Sequence, residues 1–251
     1  MRSLLVTGDS HLGSLMRGLR ESTDPALTAR RIEFWPLGSA RMTQGDFFQV
    51  DPHDCSVSTV AGACGDRRFS PESVELDGEL PLLAVSLPLH SARVVRNAIW
   101  KTHVPWSLIE GEHETPLSDQ AVDALIEADS CRAVDFVVQL KKAGLSVVVL
   151  EAPRFFENAT FLSNKRLDIH THLEARYRQC VIARLEKAGL AVIRQPSETI
   201  TERGTTDPAF DHDDPEDQHH ANARYGELML AALAAYADGG EDPAAQSSSA
   251  A

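Results

Sequence analysis

The 251-residue chain carries 37 acidic against 24 basic residues, a formal net charge of −13, and 43% apolar residues. That size and apolar share suit one sizeable α/β domain with its own core and exclude a disordered polymer. The acidic balance excludes a phosphate-backbone binder, so no nucleic-acid partner is expected.

No stretch reaches the roughly 20 apolar residues that a membrane span needs, and the opening MRSLLVTGDS lacks the roughly 7–15-residue apolar core of a secretory signal. A cytoplasmic protein without a membrane span is therefore expected. Cys55, Cys64, Cys131 and Cys180 form no C-x-x-C pair and are expected to be buried thiols rather than a disulfide framework.

In chain order, the run Ser3 to Thr7 stops at Gly8 and reads as a buried strand. Ser10 to Arg20 has helical spacing, with Leu12, Leu15, Met16 and Leu19 on one face. Arg31 to Leu37 reads as a second strand. Residues 39–80 hold Gly45, Gly62, Gly65, Pro71 and Gly78 with little periodicity, and predict loops with a small hairpin near Val74 to Leu80. Leu82 to Leu89 is a third strand. Ser118 to Ala143 is the clearest helix, capped by Ser118 and carrying Ala121, Leu125, Ala128, Val134, Val137, Val138 and Leu140 on a broad apolar face.

Ser146 to Leu150, the helix Leu173 to Ala188, the strand Ala191 to Arg194 and the helix Ala221 to Ala237 complete the domain. It is expected to span 1–237, with a disordered tail over 238–251. Strands of this apolar, β-branched kind, twice in the form helix–Gly–strand, predict a mainly parallel five-stranded sheet with helices on both faces. That is a three-layer α/β/α sandwich of flavodoxin-like order, whose ligands collect at the C-terminal strand ends.

Ser10 falls just past the first strand, at a helix start. One reading is a helix N-cap. The other is a nucleophile whose own backbone N–H meets the oxyanion. In the second reading a base and an orienting group are needed. The stretch DHDDPEDQHHANARYGELML offers both, with Asp217 three residues before His220 in a loop leading into the last helix, followed by Asn222 and Tyr225.

Gly8-Asp9-Ser10 near one end and Asp217-x-x-His220-x-Asn222 near the other resemble the SGNH (GDSL) hydrolase superfamily. The resemblance implies a flavodoxin-like α/β/α fold, Ser10 as nucleophile, His220 as base and Asp217 as its orienting carboxylate, with Asp9 holding the loop. It also implies an oxyanion hole from the backbone of Ser10 and Gly38. The family's third block, normally G-x-N-D, reads Pro88-Leu89-His90-Ser91 here. The asparagine has become His90, which is the candidate third donor, with Asn97 as another; Gly38 also reads as a plain turn glycine.

The function expected is hydrolysis of carboxylic esters of small molecules or acylated saccharides through an acyl-enzyme, with no cofactor. The alternatives are acyl transfer by the same serine and a weak or inactive ligand-binding module. A competing metal reading rests on Asp211, His212, Asp213, Asp214, Asp217, His219 and His220; consecutive acids also form solvated loops. Trp35, Trp100 and Trp106 are expected in the core, and residues 93–116, with Arg93, Arg96, Lys101 and His103, over the crevice.

Overall fold

The structure, a computed structural model, describes residues 1–39, 41–43, 45–60, 65–162 and 166–239. Gly62, Cys64 and most of the expected tail lie outside them.

Five apolar runs form the central sheet: β1 (Leu4–Gly8), β2 (Ile32–Pro36), β3 (Leu82–Ser86), β4 (Val147–Leu150) and β5 (Ala191–Ile193). Their order is β5-β4-β3-β1-β2 and every pairing is parallel. This is the flavodoxin-like arrangement, with the order reversing beside β1. Four long helices cover the sheet: α1 (Leu12–Glu21), α2 (Asp119–Lys142), α3 (Leu167–Lys187) and α4 (Ala223–Ala237).

The strand period of two sorts side chains between two cores. Leu5, Leu83, Val85, Val149 and Val192 pack with Val137 and Leu140 of α2 and Leu173 and Val181 of α3. Leu4, Val6, Ala84, Val148 and Ile193 pack with Leu12 and Leu15 of α1 and Met229 and Leu233 of α4. Strands apolar on both faces therefore demand two helix layers, as the sequence predicts. Ser118 caps α2 through the Ala121 N–H, while Asp119 in the first turn and Lys141 and Lys142 in the last complement its dipole.

The α1–α4 crossing depends on missing side chains. A Cβ on Gly226 would collide with the Ser14 carbonyl, and one on Gly18 with the backbone of Gly226 and Glu227. Arg30, with its side chain fully buried, pairs with Asp238 just past α4 at 2.5 Å, so the fold extends past Ala237.

Several local expectations are corrected. Residues 39–80 hold a three-stranded antiparallel sheet of Phe48–Val50, Val57–Thr59 and Arg68–Phe69. Near the expected hairpin there is only a single Leu76–Glu79 bridge after a short helix, Pro71–Val74. Helix α3 begins at Leu167, six residues before the expected start. Met16 and Leu125 turn outward at 45% and 37% exposure. Cys55 is exposed, in the turn before Val57–Thr59, and Cys131 and Cys180, on helices α2 and α3, are only partly covered. Trp100 is buried, but Trp106 is exposed, and Trp35 is half-buried, on the edge strand, against Phe69.

Candidate active site

The C-terminal end of β1 starts the site. Gly8 sits at φ 155° between β2 and β3, and a Cβ there would strike the Ser86 carbonyl. Only glycine lets the chain pass this close and turn sharply into Asp9 and Ser10. Asp9 then fixes the turn. Its Oδ1 accepts the His11 N–H at 3.0 Å, and its Oδ2 lies 2.7 Å from His90 Nδ1.

Ser10 is exposed. It caps no helix: α1 has His11 at its N-cap position, without a side-chain cap. The Ser10 hydroxyl lies instead 2.9 Å from His220 Nε2.

The loop that supplies His220 is organised by its own polar groups. An antiparallel bridge between Asp211 and Ala221 closes it, and Arg17 of α1 donates to the Ala221 carbonyl at 2.8 Å. Asp217 Oδ1 accepts the N–H groups of His219 and His220, forming an Asx-type turn. The same carboxylate receives the His220 ring, with Nδ1 2.8 Å from Oδ2. Asn222 then caps α4 through the Tyr225 N–H at 3.1 Å.

Ser10, His220 and Asp217 thus form one hydrogen-bonded chain from two ends of the sequence. Burial pushes the Asp217 carboxyl up, but the His220 ring and backbone hydrogen bonds outweigh it and hold its pKa near 2. Asp217 is therefore a carboxylate throughout the neutral range and selects the His220 tautomer that offers Nε2 to Ser10.

The other sequence candidates separate. Gly38 follows β2, and among the described residues its N–H and that of Ser10 have no intramolecular partner. His90 follows β3 and is turned toward Asp9. Because a neutral ring gives its Nδ1–H to that carboxylate, its Nε2 is an acceptor, and only the imidazolium can donate there. Burial opposes ionisation of Asp9, but the adjacent His11 and His90 outweigh it and hold the carboxyl well below the usual range.

Asn97 caps the short turn Ala98–Lys101 and lines a separate groove with Trp100. Of the basic residues in 93–116, Arg96 reaches the site, donating to His219 Nδ1 at 3.1 Å, whereas Arg93 is taken by Asp129.

The acidic loop does not assemble as the metal set weighed above. Asp211 and Asp214 accept backbone N–H groups of the loop itself, and Asp217 is committed to His220. Two neighbours emerge that the sequence pattern does not point to, His11 and the buried network Glu151–Arg178–Glu174, and His219 of the loop's candidate set joins them here instead of the loop's acids. Arg178 lies 3.2 Å from Glu151 and 2.5 Å from Glu174. The doublets Ser10-His11 and His219-His220 were the available signal for the two histidines. Beside them lies a small pocket lined by His90, Arg96, Arg154, Phe155, Phe161 and His219, among others.

No protein-family model matches the sequence, and no curated protein matches it. Solved structures do. A Bacteroides fragilis protein assigned as an acylhydrolase aligns with a TM-score of 0.51 at 9% identity, over 95% of this chain and 87% of that one. A GDSL-like lipase from Bacteroides thetaiotaomicron aligns with a TM-score of 0.50 at 8% identity, over 95% and 88%. At these identities the likeness is one of fold, and the chain has the fold of the SGNH (GDSL) hydrolases.

Proposed function

We propose that the protein is a serine hydrolase of carboxylic esters. The observation that carries the reading is the unbroken chain from Asp217 through His220 to the exposed Ser10 hydroxyl, at 2.8 and 2.9 Å. Hydrolases on the same fold, an acylhydrolase and a lipase by name, support the ester class.

Ser10 Oγ attacks the acyl carbonyl while its proton passes to His220 Nε2. Asp217 keeps the ring in the accepting tautomer and stabilises the imidazolium. The N–H groups of Ser10 and Gly38, without partners among the described residues, are the candidate donors to the oxyanion. His90 is not among these donors, because its Nδ1 is engaged by Asp9 at 2.7 Å. Collapse releases the alcohol, with the His220 proton going to the leaving oxygen. A water activated by His220 then cleaves the acyl-enzyme, and an acceptor hydroxyl in its place gives acyl transfer.

The test is turnover of p-nitrophenyl acetate and of an acetylated oligosaccharide by the purified chain. Wild type is expected to release acid from at least one of them, and Ser10→Ala to lose roughly 10⁴-fold or more. Equal rates in wild type and Ser10→Ala would overturn the reading and leave a ligand-binding module on the same fold.

A further inference from the structure

Behind the Ser10–His220–Asp217 chain, three more imidazoles converge from three separate elements. His11 comes from the turn into α1, His90 from the loop after β3, and His219 from the loop before α4. Their ring centroids are 4.5 Å (His11–His90), 4.8 Å (His11–His219) and 5.0 Å (His90–His219) apart. One nitrogen from each lies within 4.8 Å of the other two, the one such group of three among the described residues.

Proteins seldom leave buried polar atoms without a partner. Here, among the described residues, both ring nitrogens of His11 and Nε2 of His90 have none, although the residues are only 3% and 8% exposed. Core packing alone would favour apolar side chains at such positions. We propose that His11, His90 and His219 form a binding site for one divalent transition-metal ion of the zinc and cobalt class.

Three features of the surroundings fit that ion. First, Asp9 takes the Nδ1 side of His90 at 2.7 Å, leaving the Nε2 lone pair for a ligand bond. This carboxylate–histidine pairing is how metal sites fix a ligand's tautomer. Second, both ring nitrogens of the buried His11 are without a hydrogen-bond partner among the described residues, so a lone pair is free whichever neutral tautomer the ring adopts. Third, an all-imidazole set selects borderline ions over calcium or magnesium, which take oxygen. At about 2.0–2.1 Å per zinc–nitrogen bond, tetrahedral ligand atoms stand roughly 3.4 Å apart. Each ring then needs to move by less than about 1 Å, within reach of side-chain rotation.

The opposing group is Arg96. Its Nη2–H holds His219 Nδ1 at 3.1 Å, and its guanidinium lies over the Phe161 ring. An ion must take His219 from Arg96, so arginine and metal compete for one imidazole. Because His11 follows Ser10 and His219 precedes His220, a bound ion ties the nucleophile's turn to the base's loop. Three protein nitrogens also leave a coordination position open.

The test uses the full chain, stripped with chelator and checked for fold by circular dichroism, then titrated with Zn²⁺ by calorimetry and with Co²⁺ by visible absorption. One ion per chain is expected, with the intense d–d bands of low-coordinate cobalt. His90→Ala and His11→Ala are each expected to weaken binding by at least about 100-fold, and Asp9→Asn by about 10–100-fold. Arg96→Gln is expected to tighten binding, an outcome that general destabilisation cannot produce. Ser10→Ala and the exposed-histidine variant His53→Ala should bind as wild type does. Folded wild type without saturable binding would overturn the proposal. So would binding that survives both His90→Ala and His11→Ala in folded protein, which would mark an adventitious surface ion.

Discussion

Two aspartate–histidine pairs stand side by side at the end of β1, and they differ in what lies beyond the imidazole. In the outer pair, Asp217 holds His220 Nδ1 and the far nitrogen reaches the Ser10 hydroxyl at 2.9 Å. In the inner pair, Asp9 holds His90 Nδ1 at 2.7 Å and the far nitrogen meets no hydrogen-bond partner among the described residues. The outer pair is part-exposed, with side chains 24% and 29% accessible, whereas the inner pair is at 9% and 1%. A carboxylate sets the tautomer in both; position then decides the chemistry. A base must meet solvent and substrate, while a buried imidazole with a free lone pair suits an ion.

The comparison breaks if the two carboxylates are interchangeable. Asp217→Asn is expected to lower the rate of ester turnover by about 10⁴-fold with little loss of stability, because it spoils the His220 tautomer at a half-exposed site. Asp9→Asn should act the other way round. It removes the anion from a buried pair and is expected to cost about 3–5 kcal/mol in urea unfolding. In molecules that remain folded, its rate should fall at least 100-fold less than that of Asp217→Asn, because the Asp9 side chain touches neither the Ser10 hydroxyl nor the His220 ring. Similar rate losses in the two variants would mean that the inner pair also handles the reacting proton.

Gly8→Ala sharpens the same contrast, since both pairs hang from the turn that this glycine permits. Strain and the collision with Ser86 are expected to cost at least about 2 kcal/mol in urea unfolding. Turnover and metal binding should fall together. The smallest effect belongs far from the site. Arg176 and Asp123 form a two-point ion pair at 2.7 Å on the outer surface of the α2–α3 layer. With both side chains about a third exposed, Arg176→Ala is expected to cost only about 0.2–1 kcal/mol, less in high salt, and to leave turnover unchanged.

The sheet was legible because parallel strands buried on both faces leave continuous apolar runs, and the helix–Gly–strand units gave their alternation. The outer pair was legible because Asp217 and His220 are three residues apart and sit just before a capped helix. The inner pair was not. Asp9 and His90 are 81 residues apart, and no local spacing joins them; only strand order places β1 beside β3.

The small sheet of residues 48–69 was missed because strands of two and three residues carry too short a period to register. The start of α3 was missed because Asp168, His170 and Thr171 interrupt its apolar stripe, although His170 is buried against the Val95 carbonyl at 2.9 Å. The exposure of Trp106 was unreadable for a similar reason: apolar neighbours in sequence do not fix which way a short turn points its side chain.

Activation of Ser10 as a nucleophile is the step on which ester hydrolysis at this site depends. Its most direct test is the intact mass of purified protein after exposure to a fluorophosphonate, beside Ser10→Ala and with exposed-serine labelling controlled by heat-denatured protein. A single adduct is expected on native wild type and none on folded Ser10→Ala or on the denatured chain. A folded wild-type protein that stays unmodified, or an adduct that persists in Ser10→Ala, would contradict it.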